Sequence, residues 1–241
     1  MKPRRTLLKL FATIGLLGPA GIPGLIRNAL AQGDKPLPPG LHKATGDVRV
    51  NGQPASVGTL IRSGDTVTTG AGSEAIYIIG QDAFMQRDNS SIRFGIDAAN
   101  GGRQLMRVLT GKILSVFGKN EQGITIVTST ATAGIRGTAC YIEDSPGKVG
   151  DGETAMDAAQ RSKTYFCLCY GTAELVPGAA PNERQTYTTT HHEKPMVISN
   201  DMKMPTMMAP ADMINHTDAE LTLLENLVGR WPPFVSYNKR Y

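Results

Sequence analysis

From Thr45 onward, short β-rich runs are separated by turn signals at roughly 8–12-residue spacing. Residues 47–50 alternate apolar and polar side chains and run into Asn51-Gly52, the strongest short hairpin signal. Residues 57–61, 66–69, 73–79, 83–86, 91–96, 104–109, 112–117 and 124–129 continue the series. Ser63-Gly64-Asp65, Gly101-Gly102, Thr110-Gly111 and Gly118-Lys119-Asn120 punctuate it. Residues 138–143, 164–175 and 184–190 add strand candidates, and residues 154–163 form a short helical turn or stay irregular. This spacing predicts an all-β fold, a roll or sandwich, and excludes alternating βαβ units.

One helix stands out near the C-terminus. Thr217 caps it and Glu220 completes a capping box. Leu221, Leu224, Leu227 and Val228 share one face, Gly229 sits at the C-terminal cap, and Pro232-Pro233 stops the chain. Between the last strand candidate and this helix, Met196, Met202, Met204, Met207, Met208 and Met213 crowd a stretch broken by Pro205 and Pro210.

The first 31 residues follow another pattern. A basic start with Arg4-Arg5 precedes an apolar run of about 17 residues, and Ala29-Leu30-Ala31 closes the segment. These are the parts of a bacterial export signal. The adjacent Arg4 and Arg5 resemble the twin-arginine type, with Ala29 and Ala31 suited to a signal peptidase. Glycines and prolines within the run weaken the alternative of a membrane anchor. The expected organisation is a signal at 1–31, a flexible lead at 32–44, a β domain at 45–190, and a Met-rich segment with a C-terminal helix at 191–241. The expected location is the periplasm or another exported compartment.

Charge then reads differently. The chain has 25 basic and 21 acidic residues. Without residues 1–31, 20 basic residues face 21 acidic ones, so the basic excess belongs to the leader. The remainder lacks the basic surface that nucleic acid demands. It also lacks a second apolar segment long enough to span a membrane, so none is expected after cleavage.

Gly46-Asp47-Val48-Arg49-Val50, residues 61–70 (IRSGDTVTTG) and above all Gly134-Ile135-Arg136-Gly137-Thr138 resemble FecR-like domains, whose corresponding phrase reads GVRGT. The resemblance spans about residues 45–145. It implies a non-enzymatic, exported β domain that receives a signal through contact with a protein of the cell envelope. It does not carry iron regulation with it, and the leader argues against direct contact with a sigma factor. Read on its own, the Gly134–Thr138 motif places Arg136 between Gly134 and Gly137. That arrangement predicts a strand crossover locked by the guanidinium in preference to a ligand-binding arginine.

Three cysteines remain: Cys140, Cys167 and Cys169. Cys167 and Cys169 share one face of a strand, with an expected separation of about 6–7 Å. A hairpin through residues 144–163 would bring Cys140 alongside them. A disulfide from Cys140 to Cys167 or Cys169, packed free thiols, and a metal site all remain open. His191 or His192 would complete a metal set, only one of them because neighbours on a strand face opposite ways. Copper, iron or zinc would suit such ligands, with the methionines favouring copper, while c-type haem lacks its CxxCH. The expectation on the FecR-like reading is no cofactor. No catalytic motif stands out; His42 and His216 are isolated and read as surface residues. Trp231-Pro232-Pro233-Phe234 forms an apolar hook expected to dock on its own sheet.

Overall fold

The computed structural model describes residues 35–98 and 101–235. The leader, with Arg4, Arg5, Ala29 and Ala31, lies outside the described residues. The described chain is all-β, with a short C-terminal helix. Its strands are β1 (Gly40–Thr45), β2 (Val48–Val50), β3 (Gln53–Pro54), β4 (Thr66–Thr69), β5 (Glu74–Ile79), β6 (Asp82–Gln86) and β7 (Ser90–Asp97). They continue as β8 (Arg103–Val116), β9 (Ile124–Val127), β10 (Ala131–Ser145), β11 (Lys163–Pro177), β12 (Gln185–Thr189), β13 (Met196–Ser199) and β14 (Met208–Pro210). All belong to one sheet, antiparallel except where β8 runs parallel to β9. Helix α1 (Ala155–Gln160) sits between β10 and β11, capped by Thr154, and α2 (Asp218–Leu227) follows β14. Among the described residues no helix is long and apolar enough to cross a membrane.

Local chemistry explains the turns. Asn51 and Gly52 both take positive φ (52° and 77°), the requirement of the tight hairpin joining β2 to β3. Gly111 also has positive φ, 94°, but makes no turn. A Cβ there would stand 2.2 Å from the Ser90 hydroxyl, so the glycine lets β8 press against β7 and continue as a single 14-residue strand. The predicted break at Thr110-Gly111 is therefore a local irregularity within one strand.

Other expectations are corrected too. Residues 57–61 are not a strand. Gly40–Thr45, read as the end of a flexible lead, pairs with β5 as β1 and buries Leu41. Beyond Thr190 the sheet continues through β13 and β14 inside the Met-rich stretch, where Met208 packs into the core while Met202, Met204 and Met213 stay exposed.

The sheet has two buried faces. Residues from β1 through β14 meet on the inner face, around an aromatic group of Tyr77, Phe84, Phe94 and Phe117. The outer face carries Ile76, Ile78, Met85, Leu114 and Val116, and the predicted leucine stripe of α2 covers it with Leu221, Leu224 and Leu227. Each such side chain contributes about 1.5–3 kcal/mol on burial. Strand alternation assigns the faces: on β11, Phe166 and Leu168 point inward, while Cys167 and Cys169 point outward.

Candidate metal centre on the outer face

Four side chains meet beneath the start of α2: Cys167, Cys169, His192 and His216. Their potential ligand atoms all lie within 4.8 Å of one another. Both cysteines come from β11. A register shift there sets Ala139 opposite Tyr170 but Cys140 opposite Leu168, leaving Cys169 as the extra residue of a bulge. The bulge explains why the two sulfurs lie closer than the 6–7 Å expected of a regular strand.

His192 lies past the end of β12, in a turn where its own φ is 53°. Strand alternation does not apply there, so His191 and His192 both reach the carboxylate of Asp218, the first residue of α2. His216 lies two residues before α2 and is buried, contrary to its reading as a surface residue. Tyr141 stacks on its ring with centroids 4.6 Å apart. The Tyr165 hydroxyl fixes the approach by donating to the Asp212 carbonyl (3.0 Å) and accepting from the Ile214 amide (3.2 Å).

Hydrogen-bond partners set the imidazole tautomers. His216 Nδ1 is 2.6 Å from the Ile214 carbonyl, which only accepts, so Nδ1 carries the hydrogen. His192 Nε2 is 3.1 Å from an Asp218 carboxylate oxygen and carries the hydrogen for the same reason. That leaves His192 Nδ1 and His216 Nε2 facing each other at 3.1 Å, with Cys167 Sγ 3.5 Å from His192 Nδ1. In the neutral rings these are two opposed lone pairs. A proton or a cation between the inward atoms removes the repulsion.

With no ion present, the electrostatics favour a proton at that point. Donation from Cys169, then hydrogen bonds from His192 and His216, hold the Cys167 thiol well below its usual pKa against the effect of burial. Burial and the neighbouring Cys167 push Cys169 up. Burial works against a charged His192, but Cys167 and Asp218 outweigh it and raise its pKa.

Cys140 is not part of this group. Paired opposite Leu168, it points with that residue into the inner core. All three cysteines are free, and of the three alternatives the disulfide from Cys140 is ruled out because the partners lie on opposite faces of the sheet. His191 is peripheral: half-exposed, it holds Asp218 at 2.9 Å and lies under the Phe234 ring, centroids 4.4 Å apart. The apolar hook thus docks on its own domain, beside a cleft of about 610 Å³ lined by Phe117, Tyr170, Trp231 and Phe234. His42 stands elsewhere, bonded to the Pro38 carbonyl.

The Gly134–Thr138 motif does mark a crossover. There β10 leaves β9, its partner through Ile135, and takes up β8 from Ala139 onward, with Gly137 at φ 53° in the irregularity. Thr138 is buried against Gly171, where a Cβ would come within 2.5 Å of its methyl group. The Arg136 side chain, however, is exposed and makes no hydrogen bond or ion pair among the described residues, so the glycines and the bulge shape the crossover without an arginine lock.

No family model matches the chain, and no curated protein matches it. Two crystal structures of a "putative anti-sigma factor" from Parabacteroides distasonis ATCC 8503 superpose on it with a TM-score of 0.43 and 8% identity. The match covers 61% of this chain and 59% of that protein, so the chain spans about three fifths of the length of the structures it resembles.

Proposed function

We propose that this chain is an exported, non-enzymatic β domain that holds a transition-metal ion, zinc foremost, through Cys167, Cys169, His192 and His216. One observation carries this reading: both imidazoles have their outer nitrogens tied to acceptors, which aims the two inner nitrogens, 3.1 Å apart, at the same point as two sulfurs. Outer hydrogen bonds of this kind fix ligand histidines in metal sites. Ligands about 2.0–2.3 Å from a tetrahedral zinc stand roughly 3.3–3.8 Å from one another. The 3.1 Å and 3.5 Å separations sit close to that range. Two sulfurs and two nitrogens, all supplied by the protein, fit a closed structural zinc site better than copper(II) geometry.

The leader supports export, and the resemblance of Gly134–Thr138 to FecR-like domains supports a role in receiving a signal through protein contact. Metal analysis of the purified chain tests the site. One zinc per chain is expected, lost in Cys167→Ser and in Cys169→Ser and retained in Cys140→Ser. A wild-type chain that takes up no zinc, copper or iron, or a Cys140→Ser chain that loses metal as fully as Cys167→Ser, overturns the reading. Stoichiometric copper or iron in place of zinc corrects the metal but not the site.

A further inference from the structure

The four ligands do not belong to one part of the molecule. Cys167 and Cys169 lie on β11, and His192 follows β12, which pairs with β11. His216 alone comes from the C-terminal arm, residues 211–235, which leaves β14 and ends in α2 and the hook. Resting on the metal-site reading above, we propose that the ion latches this arm onto the outer face of the sheet, so that metal occupancy sets how often the arm opens.

One contact between arm and sheet differs from the rest. Most ties between arm and sheet are the same with or without an ion. Leu221, Leu224 and Leu227 cover the outer face, and Arg87 bonds Glu220 at 2.7 Å. The Leu37 amide donates to the Leu227 carbonyl, and the Tyr170 hydroxyl donates to the Glu225 carboxylate. The His192–His216 pair is different. An ion held by both facing nitrogens, 3.1 Å apart, ties arm to sheet at this point in addition to the contacts above. The rest of His216 does not bind it to the sheet through hydrogen bonds, because its Nδ1 is turned back onto Ile214 of the arm itself. Tyr141 supplies stacking only.

Opening the arm removes His216 from the ion and leaves three ligands in place. The closed form therefore binds metal more tightly than the open one, and by linkage metal suppresses opening by the ratio of the two affinities. Loss of one imidazole from a four-ligand site makes a ratio of at least about tenfold reasonable, equivalent to ~1.4 kcal/mol. The arm also carries its own reporter, Trp231, the single tryptophan of the chain.

Hydrogen exchange on the full chain, stripped with chelator and then reloaded with zinc, is the test. Exchange at the amides of residues 219–229 should slow at least tenfold on loading, while β7, far from the ligands in the sheet order, stays unchanged. Acrylamide quenching of Trp231 should fall in parallel. In His216→Ala, zinc should still bind through the other three ligands, more weakly, without slowing the arm. Tyr141→Leu, which removes the stacking but no ligand, should keep the zinc effect and serves if His216→Ala does not fold. A chain that takes up one zinc with no change in arm exchange or quenching overturns the latch and leaves the site standing. A chain that takes up no metal overturns both.

Discussion

The two faces of the sheet are built on different plans although the same strands build both. The inner face is filled by residues from nearly every strand, and Gln86 anchors a buried polar network there: its side-chain amide accepts from the Tyr77 hydroxyl and donates to the carbonyls of Val67 and Ser90. The outer face is closed by Leu37 at one end of the described chain and by α2 at the other, and it holds the sulfur and imidazole group. One strand serves both, with Phe166 and Leu168 inward and Cys167 and Cys169 outward. The difference teaches that a strand can commit one side to permanent packing and keep the other for chemistry. A substitution on one side should then leave the other's property nearly untouched.

Phe166→Ala breaks the comparison hardest. The ring is 1% exposed, and its removal should cost about 3–5 kcal/mol in denaturant unfolding, equally with and without zinc. A zinc-dependent loss would mean that the faces are not independent. Asp82 stands near the boundary, where it accepts from the Gly118 amide and feels Arg230 of the arm. Burial raises its pKa from 3.8 to about 6, against the Gly118 hydrogen bond and Arg230. Because the folded-state value is the higher one, the protonated form is favoured by folding. The corresponding stability is fully present below about pH 3.8 and is lost as pH rises through about 6. Asp82→Asn should flatten that part of the pH–stability curve and raise neutral-pH stability by about 1–2 kcal/mol, less than the ~3 kcal/mol equivalent of the shift because the attraction to Arg230 goes too. Thermal unfolding from pH 4 to 8 checks it, and an unchanged profile would refute the assignment. Thr217→Ala is the mildest. It removes the side chain that accepts from the Glu220 amide, and should cost about 1 kcal/mol, seen as faster exchange in α2 with the inner strands unaltered.

Much of the inner face was legible along the chain. Turn chemistry placed the β2–β3 hairpin, and β4 to β7 and β11 to β12 follow their local composition. The capping box and leucine stripe of α2 were equally local. What escaped depends on pairing between distant segments. β1 is held by β5, and β13 by β11, and neither has a strong pattern of its own. The break read at Thr110-Gly111 vanished because a glycine signals positive φ without saying whether the chain turns. At the candidate site, the two cysteines and His192 were legible as ligand types. Cys140 was grouped with them because side-by-side strands say nothing of face until register is known. His216 was missed because no other ligand type lies near it in sequence; the side chains it meets are 24 to 75 residues away, at His192 and Tyr141. The only local hint was its place just ahead of a well-capped helix.

The backbone bond from Leu37 to Leu227 has a consequence for how the molecule comes into being. A ribosome makes Leu37 some 190 residues before its partner, so the outer surface has to wait, uncovered, until α2 has been synthesised. Contacts so widely separated in sequence slow folding and lengthen exposure to aggregation. The nascent chain therefore spends its longest vulnerable interval with β5, β6 and β8 bare on one side, and this is the stage at which a chaperone would find most to hold.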